Sequence, residues 1–299
     1  MTRPSKRRPA FIFVFAVFAA IGCTTVFTDR ASADSLGVQL ESASDLPPGL
    51  KGRLHGKVVF ERPDGIYIQE LGTTQAKMLL NEGRYPRWSP DGTRVASIQG
   101  NMLVVTRISD KSNQRLIRIN KPRALAWYPD GSALLYSDGR ALKKVNLDTG
   151  SSAVLASSGP YFELDIGASG DLILATTKGK VGIGWQVRGI DLRENNEWKV
   201  APGCSASLSP DGRYATNLLS SHQILQFHDV ELREFVGQIS APGGLKFDNH
   251  FWSNHPDWIA SESEGKSRNI YAHNIHSDIA YRITSTGDAG RPDIYIDRD

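Results

Sequence analysis

The chain has 299 residues, 40% hydrophobic and 22% charged, the balance of a soluble globular protein and not of a membrane bundle or a disordered tail. Its formal charge of +3 arises at the N-terminus, where Arg3, Lys6, Arg7, Arg8 and Arg30 face only Asp29. The remainder is close to neutral, which excludes generic attraction to nucleic acid, and two cysteines leave no disulfide framework to hold the fold.

Residues 1–33 read as an export signal: "MTRPSKRR" is a basic leader and "PAFIFVFAVFAAIG" an apolar run of signal-peptide length. Three readings compete for its end. "AIGC" resembles the lipobox of bacterial lipoproteins and makes Cys23 a lipidation site, although Ala20 stands where that family usually has Leu. "ASA" at Ala31–Ala33 suits ordinary signal peptidase, and Ala10 to Phe27 is just long enough for an uncleaved anchor. All three place the rest of the chain outside the cytoplasm, in the periplasm or on the outer membrane, or secreted. Membrane association is expected through the N-terminus only.

Residues 34–55 are polar, contain "LPPG", and read as a flexible tether. Residues 56–299 show no long amphipathic helical pattern. Short β-branched or alternating runs occur instead, such as "KVVFE", "GIYIQEL", "MLVVTRI", "ALLYS" and "DLILATT", each bounded by Gly, Pro, Asn or Asp. The region is predicted to be all-β.

A repeat organises these strands. "RWSPDGTRVAS", "AWYPDGSALLY" and "SLSPDGRYATN" share one turn signature. Pro presets φ at its second position, Asp tolerates the third, and Gly follows. The unit is about 40 residues long, one four-stranded propeller blade. A degenerate unit begins at Tyr161, and the last full unit, from Leu245, has Trp252 and an enlarged turn. Five units are complete. Before them "KVVFERPDGIYIQELGTTQAKMLL" supplies three strands, and after them "RPDIYID" supplies one. Together these make a sixth blade, so the expectation is a six-bladed β-propeller closed by a C-terminal strand joining the first blade.

The WSPDG units resemble the WD-repeat-like β-propeller repeats of the TolB type, a family of periplasmic and secreted six-bladed propellers. The resemblance spans roughly Gly56 to Asp299 and implies the propeller alone. TolB also carries an N-terminal α/β domain, for which the tether leaves no space, so the TolB role in the Tol system is not implied.

Trp88, Trp127 and Trp252 recur at equivalent positions and are expected between blades. Asp91, Asp130 and Asp211 recur with Pro and Gly and are expected to cap turns. Four of the seven histidines, His250, His255, His273 and His276, crowd the last unit. Their spacing matches no compact ligand pattern, so no metal or other cofactor is expected. No G-x-S-x-G elbow occurs, and Cys204 reads as a small buried residue rather than a nucleophile. No catalytic residue is assigned.

In antiparallel blades, the connection leading into each inner strand and the loop after each second strand emerge on one face. The leading connections bring Arg84, Arg87, Lys121, Arg123, Tyr161, Glu163, Lys246, Asp248, His250, Asp288 and Arg291 toward the channel mouth. Their basic excess suits an anionic ligand. The function expected is a non-catalytic binding or protein-interaction module of the cell envelope, with another envelope protein or a saccharide or peptide as partner. The alternative is a lyase- or lactonase-type propeller enzyme acting on a carbohydrate, metal-assisted in one form.

Overall fold

The computed structural model describes the backbone of residues 40–42 and the residues 54–179, 184–241, 244–276 and 280–297. The expected signal, with Cys23 and Ala31–Ala33, lies outside them, as does most of the expected tether. No helix among the described residues is long and apolar enough to cross a membrane.

In chain order the strands are β1 (Leu40–Ser42), β2 (Gly56–Arg62), β3 (Gly65–Glu70), β4 (Ala76–Leu80), β5 (Arg84–Trp88), β6 (Arg94–Gln99), β7 (Met102–Arg107) and β8 (Asn113–Arg118). There follow β9 (Pro122–Trp127), β10 (Ala133–Asp138), β11 (Ala141–Asn146), β12 (Ser152–Ala156), β13 (Tyr161–Ile166), β14 (Leu172–Lys178), β15 (Trp185–Asp191) and β16 (Asn196–Pro202). The last are β17 (Cys204–Leu208), β18 (Tyr214–Leu218), β19 (Ile224–Asp229), β20 (Glu234–Ser240), β21 (Phe247–Trp252), β22 (Trp258–Ser263), β23 (Ile270–Asn274), β24 (Ala280–Arg282) and β25 (Gly290–Ile296).

They form six antiparallel blades. Blade one is β25-β2-β3-β4, so the C-terminal strand closes the ring, with Ile294 opposite Val58 and Ile296 opposite Gly56. Blades two to six begin with the inner strands β5, β9, β13, β17 and β21. Within the stretch expected as a tether, Leu40–Ser42 pairs in parallel with β24 at the outer edge of blade six.

The apolar core is a series of layers between neighbouring blades rather than one central mass. Ala96, Ile98 and Leu103 of blade two pack with Leu125, Trp127 and Leu134 of blade three, and Leu218 and Phe227 of blade five pack with Trp252 and Ile259 of blade six. Each sheet is therefore covered on both faces, which is why second strands such as "ALLYSD" are apolar almost throughout while the outer "NQRLIR" is largely exposed. Burying one such Leu or Val contributes about 1.5–3 kcal/mol.

The repeat residues do what their recurrence predicts. Trp88, Trp127 and Trp252 are buried. The Trp127 indole donates to the Arg87 carbonyl (3.0 Å), and that of Trp88 to the Asp293 carbonyl (3.1 Å), each reaching the preceding blade. In the turns, Gly92 and Gly212 donate back to Ser89 and Ser209 (both 2.9 Å) with φ of +67° and +76°. Asp130 accepts from the Ser132 amide (2.9 Å). Gly170 holds the same turn (2.8 Å) in the degenerate unit, which has lost Trp and Pro.

Candidate functional site

Every inner strand carries a bulge at the same level. Two residues, Tyr85–Pro86, Arg123–Ala124, Phe162–Glu163, Ser205–Ala206, Asn249–His250 and Arg291–Pro292, each oppose one residue of the neighbouring second strand. Bulges bend a strand and re-aim its side chains. Tyr85, Ser205, Asn249 and Arg291 take positive φ there, between 44° and 56°, a cost of order 1–3 kcal/mol for a non-glycine residue. Side chains of the preceding blade offset part of it by accepting the exposed amides. Glu61 accepts from Tyr85 N (3.1 Å), Thr176 from Ala206 N (3.1 Å), Ser205 from Asn249 N (3.2 Å), and Glu262 from Arg291 N in a short contact.

The bulges line a cavity of about 100 Å³ at the channel mouth, walled by Tyr85, Arg87, Arg123, Phe162, Glu163, Asn249, Phe251 and Arg291 among others. A second cavity of about 250 Å³ lies toward the turns at the other end, between the Trp88, Trp127 and Trp252 strand ends. Only Arg87 and Phe251 line both. The Arg87 guanidinium stacks on the Phe251 ring, 3.1 Å from its centroid, and this pair divides the channel.

Acids concentrate around the arginines. Asp293 accepts from Trp88 N (2.8 Å), and Asp165 from Ser207 Oγ (2.8 Å) and Leu208 N (2.9 Å). Burial pushes the Asp293 carboxyl up to about 6 against the pull of Arg87 and the Trp88 amide, and burial raises Asp165 and Glu163 as well. Burial acts to lower Arg87, with Asp293 and Asp165 opposing it. Arg291 pairs with Glu61 (2.8 Å) and stacks on Tyr85, 4.2 Å from the ring centroid. Arg123 differs. Its guanidinium lies over Phe162 at 4.5 Å, and its buried Nε has no hydrogen-bond partner among the described residues. Phe162 in turn meets the half-exposed Trp185 edge-on at 4.6 Å.

No family model matches the sequence, and no curated protein does. Solved structures do. TolB from Acinetobacter baumannii aligns over 81% of this chain and 66% of its own, at 15% identity and a TM-score of 0.64. A putative TolB from Agrobacterium tumefaciens aligns over 83% and 100%, at 13% identity and a TM-score of 0.62. A chain of a nidogen/laminin complex aligns over 81% and 98%, at 10% identity and a TM-score of 0.66. The chain thus spans just under two thirds of the A. baumannii protein's length. These likenesses establish the propeller fold, and no family model bears out the WD-like repeat family expected from WSPDG.

Of the residues expected at the mouth, Arg87, Arg123, Glu163 and Arg291 meet in the cavity wall. Arg84, Lys121 and Lys246 are exposed outside it. Tyr161 is fully buried in the layer between blades three and four, its hydroxyl paired with Ser158 (2.8 Å). His250 is fully buried and bonded to Thr216 (2.9 Å). Both belong to strands that line the mouth, but the bulge turns Phe162 and Asn249 inward in their place. Asp288 pairs with Arg62 (3.3 Å). Asp248 lies on the rim, accepting from Ser205 Oγ (3.1 Å) and Asn249 N (2.8 Å). The expected basic excess is largely balanced by Glu61, Asp165, Glu262 and Asp293, which sequence reading missed because strand-interior acids carry no positional signal.

The last blade's histidines do not converge. His250 and His273 are buried, while His255 and His276 flank Asp257 at 4.0 and 3.1 Å. Cys204 is a buried free thiol pushed up to about 12 by burial and by Asp248 and Glu163, so it is not a thiolate nucleophile.

Proposed function

We propose that this protein is an exported, non-catalytic binding module of the cell envelope that captures a carboxylate-bearing partner at the channel mouth. Arg123 carries the reading. Its guanidinium stands at the cavity wall and forms no ion pair with a carboxylate among the described residues, so its terminal nitrogens are left to meet an external acceptor. A carboxylate suits its fork, and Phe162 backs the guanidinium. Trp185 extends an apolar ledge outward, on which a peptide side chain or a sugar face can lie. The neighbouring arginines are already committed, Arg291 to Glu61 and Arg87 to Phe251 and the buried acids.

Export rests on the N-terminal sequence, and the mass of the mature chain decides between lipidation at Cys23 and cleavage after Ala33.

Isothermal titration with an oligogalacturonate and with an Asp/Glu-rich peptide tests the binding reading and separates a saccharide from a protein partner. Arg123→Ala is expected to weaken capture roughly 10- to 100-fold, the scale of a charged hydrogen bond, and to reduce its salt sensitivity. The double reversal Arg115→Glu, Arg118→Glu on the outer β8 is expected to change little. Equal losses at both places, or no binding of either probe, would refute the reading.

A further inference from the structure

On the channel-mouth face, where blades five and six meet, three separate segments bring metal-binding groups together. The loop after β18 carries His222, the start of β21 carries Asp248, and the loop after β22 carries Glu264. One ligand atom from each lies within 4.8 Å of the others. His222 Nδ1 makes a short contact with the Glu264 carboxylate, while its Nε2 lies 3.4 Å from Cys204 Sγ. The imidazole is therefore held at both nitrogens, one toward the carboxylates and one toward the Cys204 sulfur.

The backbone fixes this arrangement. Phe247 N donates to the His222 carbonyl and Glu264 N to the Lys246 carbonyl, both at 2.7 Å. Both loops are thus tied to the two residues that precede Asp248. Asp248 uses Oδ1 for Ser205 and Asn249, and no protein donor reaches its Oδ2 among the described residues. Neither Asp248 nor Glu264 forms an ion pair with a lysine or arginine among those residues. Two carboxylates face one imidazole, and the charge of Asp248 is also felt by Glu163 and Glu262. The His222 and Glu264 side chains are 22% and 33% exposed, so an aqueous ion reaches them and keeps a coordination position open to solvent.

We propose that His222, Asp248 and Glu264 form a binding site for a divalent first-row transition metal, with Zn²⁺ the best match. One imidazole nitrogen and two carboxylates suit zinc and disfavour calcium, which takes oxygen ligands. Metal–ligand bonds of about 2.1 Å put two donors on one ion at most about 4.2 Å apart, so small side-chain rotations close the present spacing. The ion takes the Nδ1 lone pair and one oxygen from each carboxylate, and the proton shared by His222 and Glu264 leaves to solvent. Cys204 does not ligate. Its Sγ lies 3.4 Å from Nε2, on the side of the ring away from the carboxylates, and can accept from Nε2–H once the ion holds Nδ1.

The site is independent of Arg123, so either reading can fail alone. The test uses the full chain stripped with a chelator and titrated with Zn²⁺, Mn²⁺ or Ca²⁺ against a chromophoric competitor, with thermal melting alongside. One equivalent of Zn²⁺ is expected to bind at micromolar concentration or tighter and to raise the melting temperature, with Mn²⁺ weaker and Ca²⁺ without effect. His222→Ala, and the shape-preserving Glu264→Gln and Asp248→Asn, should each weaken Zn²⁺ at least about 100-fold while the stripped variants melt as folded proteins. His255→Ala with His276→Ala should leave Zn²⁺ binding intact. Absence of Zn²⁺ binding at 100-fold excess over protein would overturn the proposal. So would binding that survives His222→Ala and Glu264→Gln, or binding lost in the His255/His276 variant instead.

Discussion

His250 and His273 are imidazoles buried where an added proton finds no counter-charge. Burial lowers them to about 3 and about 4 from an ordinary 6.5, and His273 further disfavours charge on His250. Because the folded-state values lie below the unfolded one, their contribution to stability is present above pH 6.5. It is lost as pH falls toward 4, where the unfolded chain binds protons that the folded chain refuses. Asp293 acts in the opposite sense with a smaller shift, losing stability as pH rises from about 4 to about 6. Glu163, Asp165 and Glu262, raised by burial as well, act in the same sense as Asp293, so substitution of a histidine isolates what the imidazoles lose in acid. His273 meets Phe247 edge-on at 4.7 Å and its Nε2 has no partner among the described residues, so His273→Phe keeps the packing and removes the proton acceptor. The variant is expected to retain on the order of 3 kcal/mol more of its neutral-pH stability at pH 4 than the parent does. Urea unfolding at pH 7 and pH 4 checks this, and parallel losses in both proteins would count against it. The sequence crowds four histidines into one unit, but only burial separates the two neutral ones from the exposed pair beside Asp257.

The six bulges give the inner strands a common device with different degrees of support. In blade three, Ser137 stands opposite the bulge and its Oγ accepts from Arg123 N (3.2 Å) and Ala124 N (3.1 Å). In blade two, Ser97 holds the equivalent place, fully buried, and its Oγ has no partner among the described residues. The same substitution should therefore have opposite consequences. Ser137→Ala strands two amides and is expected to cost about 1–3 kcal/mol, while loosening the backbone that carries Arg123. Ser97→Ala removes an unmet hydroxyl and is expected to be neutral or slightly stabilising. Thermal denaturation of the two variants side by side decides the matter, and equal losses would mean that the bulge is held by packing alone. Turns and strands were legible here because Pro-Asp-Gly and β-branched runs act within a few residues. The bulges were not, since four of them use non-glycine residues at positive φ and are held by groups on another blade. The His222 loop lacks a signal for a related reason: a lone histidine in the loop after a second strand has no repeat or spacing to mark it, although that loop opens on the same face as the leading connections.

At the scale of the whole molecule, stability depends on how the ring is closed. β25 joins three blades at once. It pairs with β2, its Asp293 accepts from Trp88 N in blade two, and Asn254 of blade six holds Ile296 at both its amide and carbonyl (2.7 and 2.8 Å). Its departure would uncover Val58, Val59 and Phe60, now fully buried, and take Ile294 and Ile296 out of the core. The pairing of the C-terminal strand with the first blade followed from counting strands in the sequence, because the first unit is short by one strand and the last has one to spare. The hydrogen bonds to blades two and six did not follow, and they make the segment more than an edge cover. At about 1.5–3 kcal/mol for each large apolar side chain lost, removal costs on the order of 5–10 kcal/mol, comparable to the whole stability of an ordinary domain. A chain ending at Ala289 is therefore expected to lose its cooperative melt or to aggregate through the exposed β2 edge. A synthetic peptide spanning 290–299 should restore soluble, cooperatively melting protein, and the same peptide with Ile294→Asp should not. A truncated chain that melts within a few degrees of the full-length protein would show that the ring does not need this closure.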